Sequence, residues 1–277
     1  MEPISLDAMA ASVPDGAVLA MPPDNSLPAV ALAKALIRRG ARGLRLVGVP
    51  VSGFATDILV GAGCVAEVQT SAASLGEAGF APRFSAAVRE GSVRVLDATC
   101  PAIHTMLQAA EKGVPFMPLR GVVGSDLVRH RPDWKVVPNP FAEGGEEDPI
   151  LLLPALRPDF GAFHAAMVDS AGNVWVGRRR ECATIAHASA RCLVTVERAV
   201  EGDFLRDERL APGAISATYV TAVTVAERGA HPAGMLDEYA ADPAYVSEYA
   251  RAARTAEGFR AWLEREVPRR PASLAAE

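Results

Sequence analysis

The strongest constraint on the fold of this chain is an alternation of short apolar runs, rich in β-branched residues, with segments of helical pattern. In the first half, the runs predict strands at 17–21, 44–49, 66–70 and 93–96. Helices are predicted between or after them, from near Pro28 to Arg39 with Asn25 or Ser26 as the cap, and at 82–90 and 102–112. A repeated strand–helix–strand order is typical of a parallel sheet covered by its crossover helices. The sequence therefore predicts an α/β protein with an open, mainly parallel sheet and helices on both faces.

The second half continues this order after a long segment with few periodic signals. That segment, 114–148, is rich in Pro and Gly, and we expect an ordered excursion that contacts a ligand or a partner, because long loops in compact domains are usually functional. Strands are then predicted at 150–153, 161–168, from 174, 193–196 and 220–225, with helices at 181–190 and 243–264. We predict one domain over 1–277 with a frayed tail at 268–277.

Composition excludes several classes of function. The formal net charge of −5 and the scattered Lys and Arg residues disfavour a nucleic-acid partner. The apolar runs are far shorter than the roughly 20 residues that span a bilayer, so we expect a cytoplasmic protein without a membrane partner. The four cysteines form no C-x-x-C pair and the five histidines have no metal-ligand spacing, which predicts reduced thiols and no metal site.

Two local motifs suggest chemistry. Residues 61–66, GAGCVA, fit the dinucleotide fingerprint G-x-G-x-x-A, but that fingerprint requires a long helix, and Val65, Val68 and Thr70 favour a strand. A plain glycine turn is the favoured interpretation. Cys100 stands where a strand ends and a helix begins, so the positive end of the helix could stabilise a thiolate, although a buried structural cysteine is the commoner outcome.

Several further stretches are informative as an ordered set. In chain order they are LIRRGARGL (36–44), DILVGAGCV (57–65), VPFMPLRG (114–121), GSDL (124–127), PALRPD (154–159), HA (164–165), DSAGNV (169–174) and GAHP (229–232). Together they resemble the A subunits of family I coenzyme A transferases, the group that includes glutaconate and 3-oxoacid CoA-transferases. The resemblance covers residues from about 30 to 250 and implies the CoA-transferase, sugar-isomerase-like form of the α/β fold.

The resemblance also implies a partner. In the family, a glutamate in a Ser-Glu-Asn-Gly segment of the B half attacks the acyl-CoA thioester, and this chain contains no such tetrapeptide. We therefore expect a B-type subunit in an αβ or α2β2 assembly, with the active site at the interface and no confidently assigned catalytic residue in this chain. The implied substrates are an acyl-CoA and a small carboxylate, with coenzyme A as substrate rather than as a permanently bound cofactor.

Two departures from the family pattern place the predicted site. Met21-Pro22-Pro23-Asp24-Asn25 replaces the usual Gly-Gly-Phe loop after the first strand, and proline offers no N–H to an oxyanion. Cys100 stands roughly where 3-oxoacid relatives carry a glutamine that holds the thioester oxygen, and a thiol is a weaker donor. The predicted substrate-binding residues are those of the acyl pocket, the thioester and the interface, namely Asp24, Asn25, Ser26, Cys100, Gly124 and Ser125.

Two alternatives remain open. The altered loop at Pro22-Pro23 would also suit a CoA-thioester hydrolase or a ring-opening C–C hydrolase on the same scaffold, although the glutamate of such relatives would fall near Cys100 and is absent. A non-catalytic ligand-binding or regulatory descendant is the third possibility, because transcriptional sensors use the same fold. That interpretation would predict a DNA-binding module nearby, and the sequence of this chain shows none.

Overall fold

The computed structural model describes residues 2–143, 148–235 and 237–268, and this part of the chain folds around a nine-stranded sheet with a second, three-stranded sheet beside it. The strands are β1 (Val18–Met21), β2 (Leu44–Gly48), β3 (Val65–Thr70), β4 (Arg94–Asp97), β5 (Phe116–Leu119), β6 (Lys135–Pro138), β7 (Pro149–Pro154), β8 (Phe160–Val168), β9 (Val174–Trp175), β10 (Arg191–Ala199), β11 (Ala214–Ile215) and β12 (Ala222–Val225). The helices are α1 (Leu6–Ala11), α2 (Val30–Arg39), α3 (Phe54–Gly61), α4 (Pro82–Glu90), α5 (Cys100–Glu111), α6 (Asp126–His130), α7 (Arg180–Ala188), α8 (Pro243–Ala252) and α9 (Ala256–Glu266).

The main sheet is parallel along its whole central path. Its order is β4-β3-β2-β1-β8-β10-β12; the short strand β9 pairs antiparallel with β8, and β11 pairs antiparallel with β9. Central strand β8 is buried on both faces at eight of its nine residues, which is typical of a parallel sheet covered by helices. The predicted α/β fold with a mainly parallel sheet and helices on both faces is confirmed.

Two apolar cores lie on opposite faces of the sheet. On β1, Leu19 and Met21 face one core and Ala20 the other, as the two-residue period of a strand requires. The first core packs the sheet against α1 to α4, α8 and α9. The second core packs it against α5, α7 and the three-stranded sheet.

Several helices differ from the prediction, which also contained no helix at α1 or α6. Helix α2 begins at Val30, and its N-cap Ala29 makes no side-chain cap bond, so the prediction that Asn25 or Ser26 caps it is wrong. Helix α3 was not predicted, because residues 54–60 are all buried and show no polar face. The predicted helix 243–264 is two helices, since Thr255 caps a new one by accepting the N–H of Gly258.

The long excursion is ordered and contains regular structure. Strands β5 and β6 flank β7 in an antiparallel sheet, so the predicted strand 150–153 belongs to this small sheet rather than to the main one. The fingerprint-like glycines form a turn, as predicted: Gly61 ends α3, Gly63 adopts a φ of 73°, and β3 follows at Val65. The predicted frayed tail, apart from Pro268, lies outside the described residues.

Among the described residues, no helix is long and apolar enough to cross a bilayer. In the same part of the chain, no three His, Cys, Asp or Glu side chains are grouped to hold a metal ion.

Candidate active site

The loops that follow β1, β2, β3 and β4 meet at one edge of the sheet, because parallel strands end at the same side. Four of the six predicted substrate-binding residues lie in these loops. Asp24, Asn25 and Ser26 form a 3-10 turn after β1, and Cys100 opens α5 after β4. In open α/β sheets, ligands bind in the crevice outside the carboxyl ends of the strands. This carboxyl edge is therefore the candidate active site.

Asp24 is held against the start of α3. Both of its carboxylate oxygens accept the N–H of Phe54, at 3.1 and 3.0 Å. The neighbouring residue must be glycine, since a Cβ on Gly53 would lie 2.3 Å from an oxygen of Asp24. Burial raises the pKa of Asp24 to about 6, although the Phe54 N–H lowers it, and the charge of nearby Asp57 adds to the rise. Asp24 is thus a half-buried carboxylate whose pKa is raised toward neutral pH.

Helix α3 is fixed in place by an aromatic cluster. Phe54 packs edge-on against Tyr249 and Trp262, with ring centroids 4.8 and 5.9 Å away, and all three side chains are buried. The hydroxyl of Tyr249 donates to Asp57 at 2.6 Å, and the N–H of Phe84 donates to the other oxygen of Asp57. These contacts set the position of the Phe54 N–H and, through it, that of Asp24.

Ser26 and Leu27 close the turn after β1. Ser26 is buried, and its hydroxyl donates to Glu181 at 3.3 Å, while the thiol of Cys182 donates to the Ser26 carbonyl. Leu27 is buried with a φ of 63°, a strained conformation for a residue with a side chain, and its carbonyl accepts the N–H of His164. Strain of this kind clusters at functional sites, which supports the choice of this edge.

Cys100 is the one exposed cysteine, whereas the other three are buried. Its sulfur lies 3.2 Å from the hydroxyl oxygen of Ser71, which itself donates to the carbonyl of Pro50. The commoner outcome for this residue type, a buried structural cysteine, is therefore not observed. The thiol sits on the first residue of α5, where the helix dipole favours negative charge.

Gly124 and Ser125 lie apart from the turn after β1, in the exposed loop that follows β5. Gly124 has a φ of 83°, and Ser125, just before α6, donates its hydroxyl to Val122. The segment is tied to the end of β4 by Arg131, whose buried guanidinium donates to the carbonyl of Asp97 at 2.9 Å and stacks on Trp134. This loop is thereby anchored next to the strand end that leads into Cys100.

Asp24 and Asn25 line a cleft of about 620 Å³. Its other walls come from residues 75–78 after β3 and from 232–234 and 241–247 after β12. The sequence did not predict that these residues line the cleft, although the GAHP stretch at 229–232 was among those that resemble the family. A slightly larger cleft, about 680 Å³, includes Arg38, Cys64 and Arg260, but none of the predicted site residues lines it.

The segment that forms the second wall is fixed by a buried histidine and a glutamate. Glu197 accepts the N–H of Arg228 at 2.8 Å and lies 2.7 Å from Nε2 of His164. The Nδ1 atom of His164 lies 2.8 Å from the hydroxyl of Thr195, so both ring nitrogens are engaged. His164 is a structural residue behind the cleft rather than part of its lining.

Comparison with curated proteins identifies clear relatives. The chain is 30% identical over 271 residues to the A-type subunit of the 3-oxoadipate CoA-transferase of Pseudomonas knackmussii, across 94% of the chain and 91% of that protein. It is 31% identical to an uncharacterized protein of Archaeoglobus fulgidus, across 84% of the chain but only 51% of that protein, so it spans about half the length of that relative. It is 28% identical to the IpdA component of the cholesterol ring-cleaving hydrolase of Rhodococcus jostii, across 84% of the chain and 80% of that protein.

Solved structures agree on the fold. The glutaconate coenzyme A-transferase of Acidaminococcus fermentans superposes with a TM-score of 0.87 at 23% identity, across 96% of the chain and 89% of that chain. A variant of the decarboxylase AibA/AibB superposes with a TM-score of 0.81 at 27% identity, across 95% and 98%. No family model matches the chain. The 30% identity to the 3-oxoadipate transferase component extends over nearly the full length of both proteins. It shows that the chain belongs to the A subunits of the family I coenzyme A transferases.

Proposed function

We propose that this chain is the A component of an acyl-CoA:carboxylate CoA-transferase and that a B-type subunit supplies the catalytic glutamate. The observation that carries the proposal is a mismatch within one chain. The chain belongs to a transferase family and has a cleft at the carboxyl edge of its sheet. Yet it has no Ser-Glu-Asn-Gly segment, which is where the family carries its catalytic glutamate. We further propose an αβ or α2β2 assembly in the cytoplasm.

The exposed side chains of the carboxyl edge support a partner at this place. Phe80, in the loop after β3, is 85% exposed, and Asn25 and Cys100 are exposed in the segments that follow β1 and β4. Burying one large apolar side chain stabilises a complex by about 1.5–3 kcal/mol. A second subunit that covers this edge would bury Phe80 and would bring its own carboxylate next to the cleft.

The chemistry divides between the two subunits. The partner's glutamate attacks the thioester carbonyl, which forms an acyl-glutamyl anhydride and releases the CoA thiolate. The thiolate then attacks the glutamyl carbonyl, which gives an enzyme–CoA thioester and frees the first carboxylate, and the acceptor acid reverses these steps. Two successive acyl exchanges replace one difficult exchange.

The roles proposed for this chain are binding and orientation. Asp24 and Asn25 line the acyl pocket, Ser26 supports the turn through its bond to Glu181, and Cys100 lies beside the thioester. Gly124 and Ser125 lie near the subunit interface. Pro22 and Pro23 provide no N–H groups, so we propose that the oxyanion donors come from other backbone groups, including those of the partner.

A reconstitution experiment tests this function. The chain is coexpressed with the product of the neighbouring gene, and transfer of CoA from acyl-CoA to a labelled carboxylate is followed. We expect exchange only with both proteins present, and its loss on Glu→Ala in the partner's Ser-Glu-Asn-Gly segment. Rapid exchange by this chain alone, or activity that survives the Glu→Ala change, would refute the proposal.

A second candidate is cleavage of a carbon–carbon bond or hydrolysis of a CoA thioester. It is favoured by the 28% identity to the IpdA protein and by the proline-containing loop after β1. The same experiment separates these functions, because a thioester hydrolase releases free CoA with water as the acceptor, a C–C hydrolase leaves the CoA thioester intact, and neither transfers CoA to the labelled carboxylate. A partner that lacks the glutamate would favour this second candidate.

A further inference from the structure

The charged residues that line the 620 Å³ cleft determine which acyl groups it can bind. Its walls are apolar and small, with Leu75, Ala78, Pro232 and Val246 among them. Three carboxylates also line it, those of Asp24, Glu77 and Asp242, and none of the described residues lining it is Lys or Arg. A cleft of this composition suits an uncharged chain and repels an anion.

Helix N-termini are the usual backbone sites for anions, and two of them face the cleft region. At α3 the N–H of Phe54 is already bonded to the carboxylate of Asp24. At α8 the carboxylate of Asp242 accepts the N–H of Tyr245, and Pro243 has no N–H to offer. The N-terminus of each helix is thus already paired with an aspartate of this chain, which disfavours a carboxylate of the ligand there.

The basic side chains of the adjoining groove are also engaged. His231 precedes the cleft residue Pro232 and lies 3.4 Å from Asp242. In the adjoining groove, Lys34 pairs with Glu266 at 3.6 Å, and Arg228 lies over the ring of Tyr239. These three basic side chains have partners outside the 620 Å³ cleft or at its rim.

We infer that the cleft binds an acyl group without a distal carboxylate, so that the donor is the CoA thioester of a monocarboxylic acid. This inference rests on the proposed function, because it takes the cleft to be the acyl pocket. It differs from what the names of two relatives state, since 3-oxoadipate and glutaconate each carry a second carboxylate.

The test compares two six-carbon thioesters that differ in one carboxylate, the hexanoyl and adipoyl thioesters of N-acetylcysteamine. Binding to the full-length chain is measured by calorimetry. We expect the adipoyl compound to bind at least tenfold more weakly, which corresponds to about 1.4 kcal/mol. Asp24→Asn should reduce this ratio to less than threefold. Glu264→Gln, on α9 outside this cleft, should leave the ratio unchanged.

The outcomes separate this inference from the proposed function. Equal binding, tighter binding of the adipoyl compound, or no binding of either compound would overturn the inference. Should Asp24→Asn fail to fold, Glu77→Gln replaces it, because Glu77 is exposed at the rim and should also lower the ratio. Selective binding by a reconstituted complex that exchanges no CoA would refute the transferase function and leave the inference on the cleft intact.

Discussion

The ionised form of Asp24 should destabilise the folded chain. Its pKa in the folded chain is raised to about 6, against 3.8 for an unperturbed aspartate, chiefly because partial burial removes water from the charged carboxylate. A raised pKa means that the folded state binds the proton more tightly, so the stabilisation is complete at low pH and is lost as pH rises through 6. Ionisation of Asp24 therefore lowers the free energy of unfolding by about 3 kcal/mol at pH 8 and by about 0.5 kcal/mol at pH 4.

The change Asp24→Asn removes the charge and keeps an oxygen that accepts the Phe54 N–H. We expect it to raise the free energy of unfolding by about 2–3 kcal/mol at pH 8 and by less than about 1 kcal/mol at pH 4, measured by urea denaturation. Asp15→Asn is the matched control. The bond from the Arg42 N–H and the Arg39 guanidinium lower the pKa of exposed Asp15, so this change should not stabilise the chain at pH 8. An unchanged or lower stability of Asp24→Asn at pH 8 would refute the reasoning.

Three other predictions concern single side chains. Tyr249→Phe removes the hydroxyl that donates to buried Asp57 and should destabilise the chain by about 2–3 kcal/mol in urea; a loss below about 0.5 kcal/mol would show that the carboxylate finds another donor. Arg131→Met removes the bond to the Asp97 carbonyl and should cost about 2–3 kcal/mol and speed proteolysis within residues 116–138, whereas unchanged cleavage would contradict the anchoring role. Native protein should show one thiol that reacts rapidly with a disulfide reagent and four after denaturation; Cys100→Ser should remove the rapid one, and a second rapid thiol would contradict the burial of the other three.

Most of the main sheet was predictable because its strands are short apolar runs separated by amphipathic helices. Helix α3 was not, because it is buried all round and its sequence lacks the helical alternation of polar and apolar residues. The two outer strands of the small sheet were also missed, although its central strand was predicted. Pro118 and Pro138 break the pattern of its two outer strands, which tolerate proline because they lie at the edges.

The candidate site was predictable only in part. Asp24 was chosen from its loop after β1, yet its partner, the N–H of Phe54, comes from a helix that the sequence did not predict. Cys100 was correctly placed at the start of a helix, but its contact with Ser71 depends on the packing of two loops. The walls at 75–78, 232–234 and 241–247 are brought next to Asp24 by the order of the strands, which no local pattern encodes.

The sheet separates the interior into two compartments that repack independently. A cavity made beneath Trp262 on α9 and one made beneath Met106 on α5 would lie on opposite sides of the backbone layer, with no shared neighbours. Losses at distant sites without common partners add within about 0.5 kcal/mol. The loss caused by a change on one side of the sheet should therefore not depend on changes made on the other side, although both losses reduce the same free energy of unfolding.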